Sequence, residues 1–83
     1  MYTVQFIIAG YAMPDGSDVQ HYNSLESIAR ALQSEHDSAE NYGAGYEPSK
    51  AIIWKGELDS VQDIYPDKVA IIGPRGGVSF SNC

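Results

Sequence analysis

A glycine-rich stretch near the C-terminus, residues 73–77, constrains the fold of this chain more than any other feature of its sequence. It separates two short runs, 69–72 and 78–81, that are rich in residues favouring strands. Pro74 presets φ for the second position of a β-turn, and the two glycines after Arg75 permit the positive φ values with which a chain reverses direction. The sequence therefore predicts a C-terminal β-hairpin that carries Arg75 at its tip.

Two further segments have the composition of strands. Apolar side chains alternate with others over residues 2–9, which is the period of a strand with one buried face. The side chains that share this face are Tyr2, Val4, Phe6 and Ile8. Residues 51–55, Ala-Ile-Ile-Trp-Lys, predict a second strand. The short polar segment 18–22 follows a turn-rich sequence and is interpreted as a brief strand or an extended connection.

The segment that begins at Asn23 has the pattern of an amphipathic helix. Asn23 is followed three residues later by Glu26, which is typical of a capping box, where each side chain bonds an unpaired backbone N–H of the first turn. Apolar residues then recur on one face with a period of 3.6: Leu25, Ile28, Ala29 and Leu32. Glu26 and Arg30 have the spacing of an exposed ion pair. The pattern ends after His36, so residues 37–49 are interpreted as a long loop.

The order of these segments predicts one small α+β domain spanning residues 1–83. A three- to four-stranded antiparallel sheet with one main helix packed on one face, in the order β-α-β-β-β, accommodates all of them. Between the second and third strands, Leu58, Val61 and Ile64 stand three residues apart, which suits a short helical turn. At this length a chain buries only about 60–65% of the surface that its unfolded form exposes, so the core is small.

The charge balance of the chain excludes some classes of partner. Eleven acidic residues oppose five basic ones, a formal net charge of −6, whereas binding to nucleic acids and to anionic membranes requires clustered cations. We therefore expect no direct nucleic-acid binding and no membrane association. The apolar start of the chain lacks the basic region of a secretory signal. The single cysteine, Cys83, cannot form an internal disulfide, so a reducing cytosol is expected.

The sequence contains no recognisable pattern of catalytic or cofactor-binding residues. The turn at 73–77 lacks the Gly-Lys-Ser or Gly-Lys-Thr of a phosphate-binding loop. His21 and His36 lie in different segments without a neighbouring metal ligand. No serine stands in a Gly-x-Ser-x-Gly motif. The sequence therefore predicts a protein that is not an enzyme and that has no cofactor and no bound metal.

The candidate functional residues are those suited to contact a protein partner. Tyr42 and Tyr46 stand in the long loop beside glycines, and tyrosine supplies a large contact area at low entropic cost. Trp54 and Arg75 add an aromatic anchor and an exposed cation. The loop also carries three acidic residues: Asp37, Glu40 and Glu47. In the alternative interpretation, both tyrosines fold back over the core. Trp54 is expected to pack beneath the helix, and it serves as an anchor for a partner only if it lies on the open face of the sheet.

The C-terminal part of the chain resembles a known group of proteins. Residues 65–67, Tyr-Pro-Asp, together with residues 73–78, Gly-Pro-Arg-Gly-Gly-Val, and a terminal cysteine are similar to the C-terminal half of small proteins of unknown function encoded by phages of actinobacteria. The resemblance covers residues 65–83. It implies a non-enzymatic phage protein that binds and modulates or inhibits a host protein in the host bacterial cytoplasm.

Three other functions remain open from the residues alone. The acidic residues, which crowd segments 35–47 and 57–67, suit a nucleic-acid mimic that blocks a host DNA- or RNA-binding protein. A small ligand-binding domain or enzyme would need a pocket between the helix and the long loop. A homo-oligomeric structural protein, such as a homodimer, would pair the exposed edges of the sheet at its first or last strand.

Overall fold

A computed structural model describes residues 1–8, 18–41, 49–72 and 77–82. Within these ranges the chain forms five strands and one helix: β1 Tyr2–Ile7, β2 Gln20–Tyr22, α1 Leu25–Asn41, β3 Ser49–Lys55, β4 Lys68–Ile72 and β5 Val78–Asn82. The strands make one antiparallel sheet in the order β2-β1-β3-β4-β5. β4 and β5 form the C-terminal hairpin that the sequence predicts. Its tip, with Arg75, lies outside the described residues.

The α+β class and the single main helix are confirmed, but the strand count is wrong. The sequence predicts three to four strands, and the described chain has five, in the order β-β-α-β-β-β. The additional strand is β2, which lies beside the first half of β1, with Gln20 opposite Val4 and Tyr22 opposite Tyr2. Three residues show no hydrophobic period of their own, so this strand is defined by the neighbour that pairs with it.

The helix has a different cap and a later end than the sequence predicts. The hydroxyl of Ser24 accepts a hydrogen bond from the backbone N–H of Ser27 at 3.2 Å, so Ser24 is the N-cap in place of Asn23. α1 then includes residues 37–41, which the sequence assigns to a loop. The sequence hides this extension because the next core position of the helix is occupied by His36, a polar residue that is buried.

The core lies between α1 and one face of the sheet. Val4 of β1 and Ile53 of β3 are register partners on this face, and α1 contributes Ile28 and Leu32. The buried members of the core are Val4, Ile8, Ile28, Leu32, Ala51, Ile53, Ala70 and Ile72. Because every second residue of a strand points to the same side, a single register places all the strand members of this set beneath the helix.

A polar pair, His36 and Ser49, joins the second half of the helix to the start of β3. Nδ1 of His36 lies 2.8 Å from the hydroxyl oxygen of Ser49, and both side chains are buried. Within the described part of the chain, Nε2 of His36 is buried without a hydrogen-bond partner. The pair therefore positions the helix on the sheet but carries a desolvation cost at one nitrogen.

Candidate protein-binding surface

The face of the sheet opposite α1 is partly covered by the segment between β3 and β4, residues 56–67, which we call the β3–β4 loop. Thr3 and Trp54 are register partners on this face, and both are buried, Trp54 being 5% exposed. The expectation that Trp54 packs beneath the helix is wrong, because Ile53 faces the helix and successive residues of a strand point to opposite sides. The tryptophan lies instead beneath the β3–β4 loop, bonded to the backbone of Ile64.

Thr3 fixes the start of the β3–β4 loop. Its hydroxyl donates to the carbonyl of Gly56 and accepts from the N–H of Leu58, both at 2.8 Å. The N–H of Gly56 donates to the carbonyl of Met1 at 2.9 Å. Gly56 has a φ of +93°, a left-handed conformation that glycine adopts without strain. These bonds satisfy backbone groups next to a buried side chain and set the direction in which the chain leaves β3.

The middle of the β3–β4 loop rests on Trp54 and Val61. The indole N–H of Trp54 donates to the carbonyl of Ile64 at 2.9 Å, and Val61 is buried. The N–H of Ile64 donates to the carbonyl of Val61 at 3.1 Å and closes a turn in which Asp63 has a φ of 64°. Aspartate tolerates this left-handed conformation better than most residues. The helical turn that the sequence suggests at this point is therefore a non-helical turn.

The end of the loop is fixed by Asp67, and its first part is held a second time by His21. The N–H of Asp67 donates to the carbonyl of Ile53 at 2.9 Å, and its carboxylate accepts from the N–H of Lys55 at 2.8 Å. Nε2 of His21 lies 2.7 Å from the carbonyl oxygen of Leu58. Because a carbonyl only accepts, this nitrogen carries a proton. The loop has no regular secondary structure, yet its backbone is held at the start, middle and end.

The anchored loop presents two adjacent apolar side chains to solvent. Tyr65 is 81% exposed and Ile64 is 44% exposed. Four exposed acidic residues flank them along the chain: Glu57, Asp59, Asp63 and Asp67. No lysine or arginine occurs within residues 56–67. We call these six side chains the acidic tyrosine surface.

An exposed tyrosine on a fixed backbone is well suited to protein recognition. The ring buries a large area on contact while only two side-chain torsions are immobilised. An anchored backbone loses little conformational entropy when a partner binds, so more of the contact energy appears as affinity. Isolated exposed apolar residues are common on protein surfaces. Ile64 and Tyr65 differ from these because they are adjacent, flanked by charge of one sign and held by the bonds described above.

The predicted site residues that the structure describes do not belong to the acidic tyrosine surface. Asp37 is exposed on α1, and Glu40 belongs to α1 with its side chain outside those described. Trp54 is buried and supports the β3–β4 loop, so it offers no exposed ring to a partner. The other four predicted residues lie outside the described residues: Tyr42, Tyr46, Glu47 and Arg75.

Ile64 and Tyr65 are not among the contacts that the sequence predicts. The spacing of Leu58, Val61 and Ile64 suits one side of a helical turn. The left-handed residue Asp63 breaks that period, so Val61 is buried while Ile64 is exposed. The available signal was a pair of large apolar residues directly before a proline in an otherwise acidic segment.

Other kinds of site find no support in the part of the chain that the structure describes. Those residues enclose no pocket, bring no three potential metal ligands together, and include no helix with the length and hydropathy needed to span a bilayer.

Comparison with known proteins finds no matching family model, no similar curated protein and no similar solved structure. The fold and the surface define a small α+β protein with an anchored, acidic, tyrosine-bearing loop.

Proposed function

We propose that this protein is a non-enzymatic binding module that contacts a host protein in the bacterial cytoplasm and modulates or inhibits it through the acidic tyrosine surface. The observation that carries the proposal is Tyr65, which is 81% exposed on a loop whose backbone is fixed by hydrogen bonds to β1, β2 and β3. Tyrosine is among the residues that most often dominate the energy of protein interfaces.

The chemistry of the surface indicates the kind of partner. Four acidic residues without a basic residue in residues 56–67, on a chain with a net charge of −6, favour a partner that is positively charged around its binding site. The exposed side chains of Ile64 and Tyr65 would fit an apolar pocket within that positively charged surface of the partner. In this arrangement the charges accelerate association and orient the partner, while the two apolar side chains supply most of the affinity.

The first test compares Tyr65→Ala with wild type and with Gln62→Ala, a matched change at an exposed residue of the same loop. A partner is isolated from an actinobacterial host lysate with the wild-type protein, identified and purified, and its Kd is measured for all three. We expect Tyr65→Ala to weaken binding at least tenfold, about 1.4 kcal/mol, and Gln62→Ala to change it less than about twofold. Equal affinity of Tyr65→Ala and wild type would contradict the proposal.

A second test separates the role of charge from that of the ring. Asp59→Asn with Asp63→Asn removes two charges, and asparagine retains the tolerance for the left-handed conformation at residue 63. We expect the association rate to fall while the dissociation rate changes little, because peripheral charges act mainly on the encounter. Stopped-flow measurement at low salt gives both rates. Competition by DNA for the same partner would identify that partner as a nucleic-acid-binding protein and the surface as a mimic.

A further inference from the structure

The last strand of the sheet, β5, has one edge that pairs with β4 and one edge that no described strand covers. Its register with β4 is continuous over five residue pairs, from Val78 opposite Ile72 to Asn82 opposite Lys68. Residues 79–82 are all exposed. A strand in this position presents a row of backbone N–H and C=O groups that are free to pair with another chain.

β5 lacks the features by which edge strands normally avoid such pairing. Its sequence, Val-Ser-Phe-Ser-Asn, contains no charged residue and no proline, and its unbroken register with β4 leaves no place for a bulge. Phe80 lies on the helix side of the sheet and is 39% exposed, since α1 packs over β1 to β4. An exposed aromatic ring at an unprotected edge is costly in water and favours coverage by a further strand.

The sequence of β5 is self-complementary about Phe80. In an antiparallel pair of two β5 strands centred on this residue, Phe80 lies opposite Phe80 of the second copy, and each Ser79 lies opposite a Ser81. Aromatic pairs and serine pairs both stabilise neighbouring strands when they face each other. The absence of charge on β5 matters here, because a charge of the same sign at residues 79 and 81 would meet its like across the twofold axis.

We propose that a second copy of this chain is the partner of β5, and that two copies associate by antiparallel β5–β5 pairing about a twofold axis at Phe80. The two five-stranded sheets then become one continuous ten-stranded sheet, within the usual range for open sheets. The contact is small compared with the roughly 1,200 Å² of a stable interface, so the dimer is weak and forms as concentration rises.

The test changes Ser79 and Ser81, which lie opposite each other in the proposed β5–β5 register. Sedimentation equilibrium from about 10 µM to about 1 mM, with Cys83→Ser in every sample to prevent disulfide dimers, should show a mass rising from the 9.0 kDa of one chain towards twice that value. Ser79→Lys with Ser81→Lys places lysines opposite lysines across the axis, and we expect the Kd of the dimer to rise at least tenfold, which shifts the protein towards monomer. The matched variant, Ser79→Lys with Ser81→Glu, places opposite charges against each other, and we expect the dimer to persist.

A mixing experiment completes the test. Ser79→Glu with Ser81→Glu should also be monomeric alone, and mixing it with the double-lysine variant should restore a dimer through opposite charges at both positions. Ser79 and Ser81 are both exposed, so circular dichroism should show unchanged folding in these charge variants. A monomeric wild type over the whole range would overturn the proposal. So would a dimer that the double-lysine variant leaves intact, because its contact would lie elsewhere, for instance at the exposed Ile71.

Discussion

Thr3 illustrates how one side chain determines the position of a whole loop. It lies on a face of the sheet where its neighbour Trp54 is also buried, and its hydroxyl both donates and accepts, to Gly56 and from Leu58. A single hydroxyl therefore satisfies one carbonyl and one N–H of a segment without regular structure. Thr3 contributes more than its size suggests, because those two backbone groups have no equivalent partner if it is lost.

The first residue-scale prediction compares Thr3→Val with Thr3→Ser. Valine has the shape of threonine but leaves the carbonyl of Gly56 and the N–H of Leu58 without their partner, so we expect a loss of about 1–3 kcal/mol in the free energy of unfolding. Serine keeps the hydroxyl and loses only a methyl group, so we expect a loss of about 1 kcal/mol or less. Urea unfolding measures both. A valine variant as stable as the serine variant would show that these bonds do not hold the loop.

The second residue-scale prediction concerns the pH dependence of stability at Tyr22. Its ring packs edge-on against Phe6 at 5.9 Å, and its hydroxyl donates to Gln20 at 2.8 Å. Burial, and secondarily the negative charge of Glu35, raise the pKa of Tyr22 above its usual 10.0. Because the folded-state pKa lies above the unfolded one, this stabilisation is complete below about pH 10 and is lost as pH rises through the folded-state pKa.

We therefore expect the difference in the free energy of unfolding between wild type and Tyr22→Phe to be constant up to about pH 9. At higher pH we expect wild type to lose stability relative to Tyr22→Phe. Glu35→Gln should reduce this effect without abolishing it, since burial is the larger cause. Urea unfolding at a series of pH values between about 8 and 11 gives the difference. A difference that stays constant over this whole range would show that the pKa of Tyr22 is the same in the folded and unfolded states.

At the scale of the elements, the N-cap of α1 lies one residue later than the sequence predicts. Two adjacent residues, Asn23 and Ser24, are both good N-cap types. The sequence favours Asn23 because Glu26 follows at capping-box spacing, but the backbone enters the helix one residue later and the hydroxyl of Ser24 makes the bond. Glu26 pairs instead with Arg30 at 2.8 Å, in an exposed ion pair of small energetic value.

The matching prediction compares Ser24→Ala with Asn23→Ala. The first removes the hydroxyl that accepts from Ser27, and we expect a loss of about 0.5–2 kcal/mol in the free energy of unfolding. The second changes an exposed residue before the cap and should cost less than about 0.5 kcal/mol. Thermal or urea unfolding measures both. The reverse order would assign the cap to Asn23, as the sequence alone does.

At the scale of the whole molecule, the net charge of −6 acts in opposite directions on the two proposed contacts. The partner that we propose for the acidic tyrosine surface is basic, so salt screens an attraction between the two. β5 carries no charge of its own, but two copies of an acidic chain repel each other, so salt screens a repulsion.

We therefore expect the Kd for the partner protein to rise between about 50 mM and about 500 mM NaCl, and the Kd of the β5–β5 dimer to fall over the same range. Calorimetry for the first and sedimentation for the second supply the two slopes. The double-lysine variant at residues 79 and 81 should still bind the partner, which separates failure of the dimer from failure of the binding surface. Salt slopes of the same sign would mean that one of the two contacts has a different electrostatic character from the one proposed.

The sequence by itself determined those features that depend on local patterns. Alternation predicts β1, the apolar stripe from Leu25 to Leu32 predicts the helix, and the turn residues 73–77 predict a C-terminal hairpin. The structure contains β1, the helix and the antiparallel pairing of β4 with β5. The helix face of the sheet follows from the same alternation, because Val4 is buried in the core and Tyr2 and Phe6 on the same face pack against it.

Only the tertiary structure decided the features that depend on neighbours. β2 is a strand because β1 pairs with it. The helix extends past His36, whose buried imidazole lies within hydrogen-bond distance of Ser49 on β3. The face on which Trp54 lies depends on the register of β3. The exposure of Tyr65 depends on the hydrogen bonds by which Thr3, Trp54 and Asp67 fix the backbone of the β3–β4 loop. Local patterns report the period of one segment, whereas pairing, register and loop anchoring join residues as much as 55 positions apart.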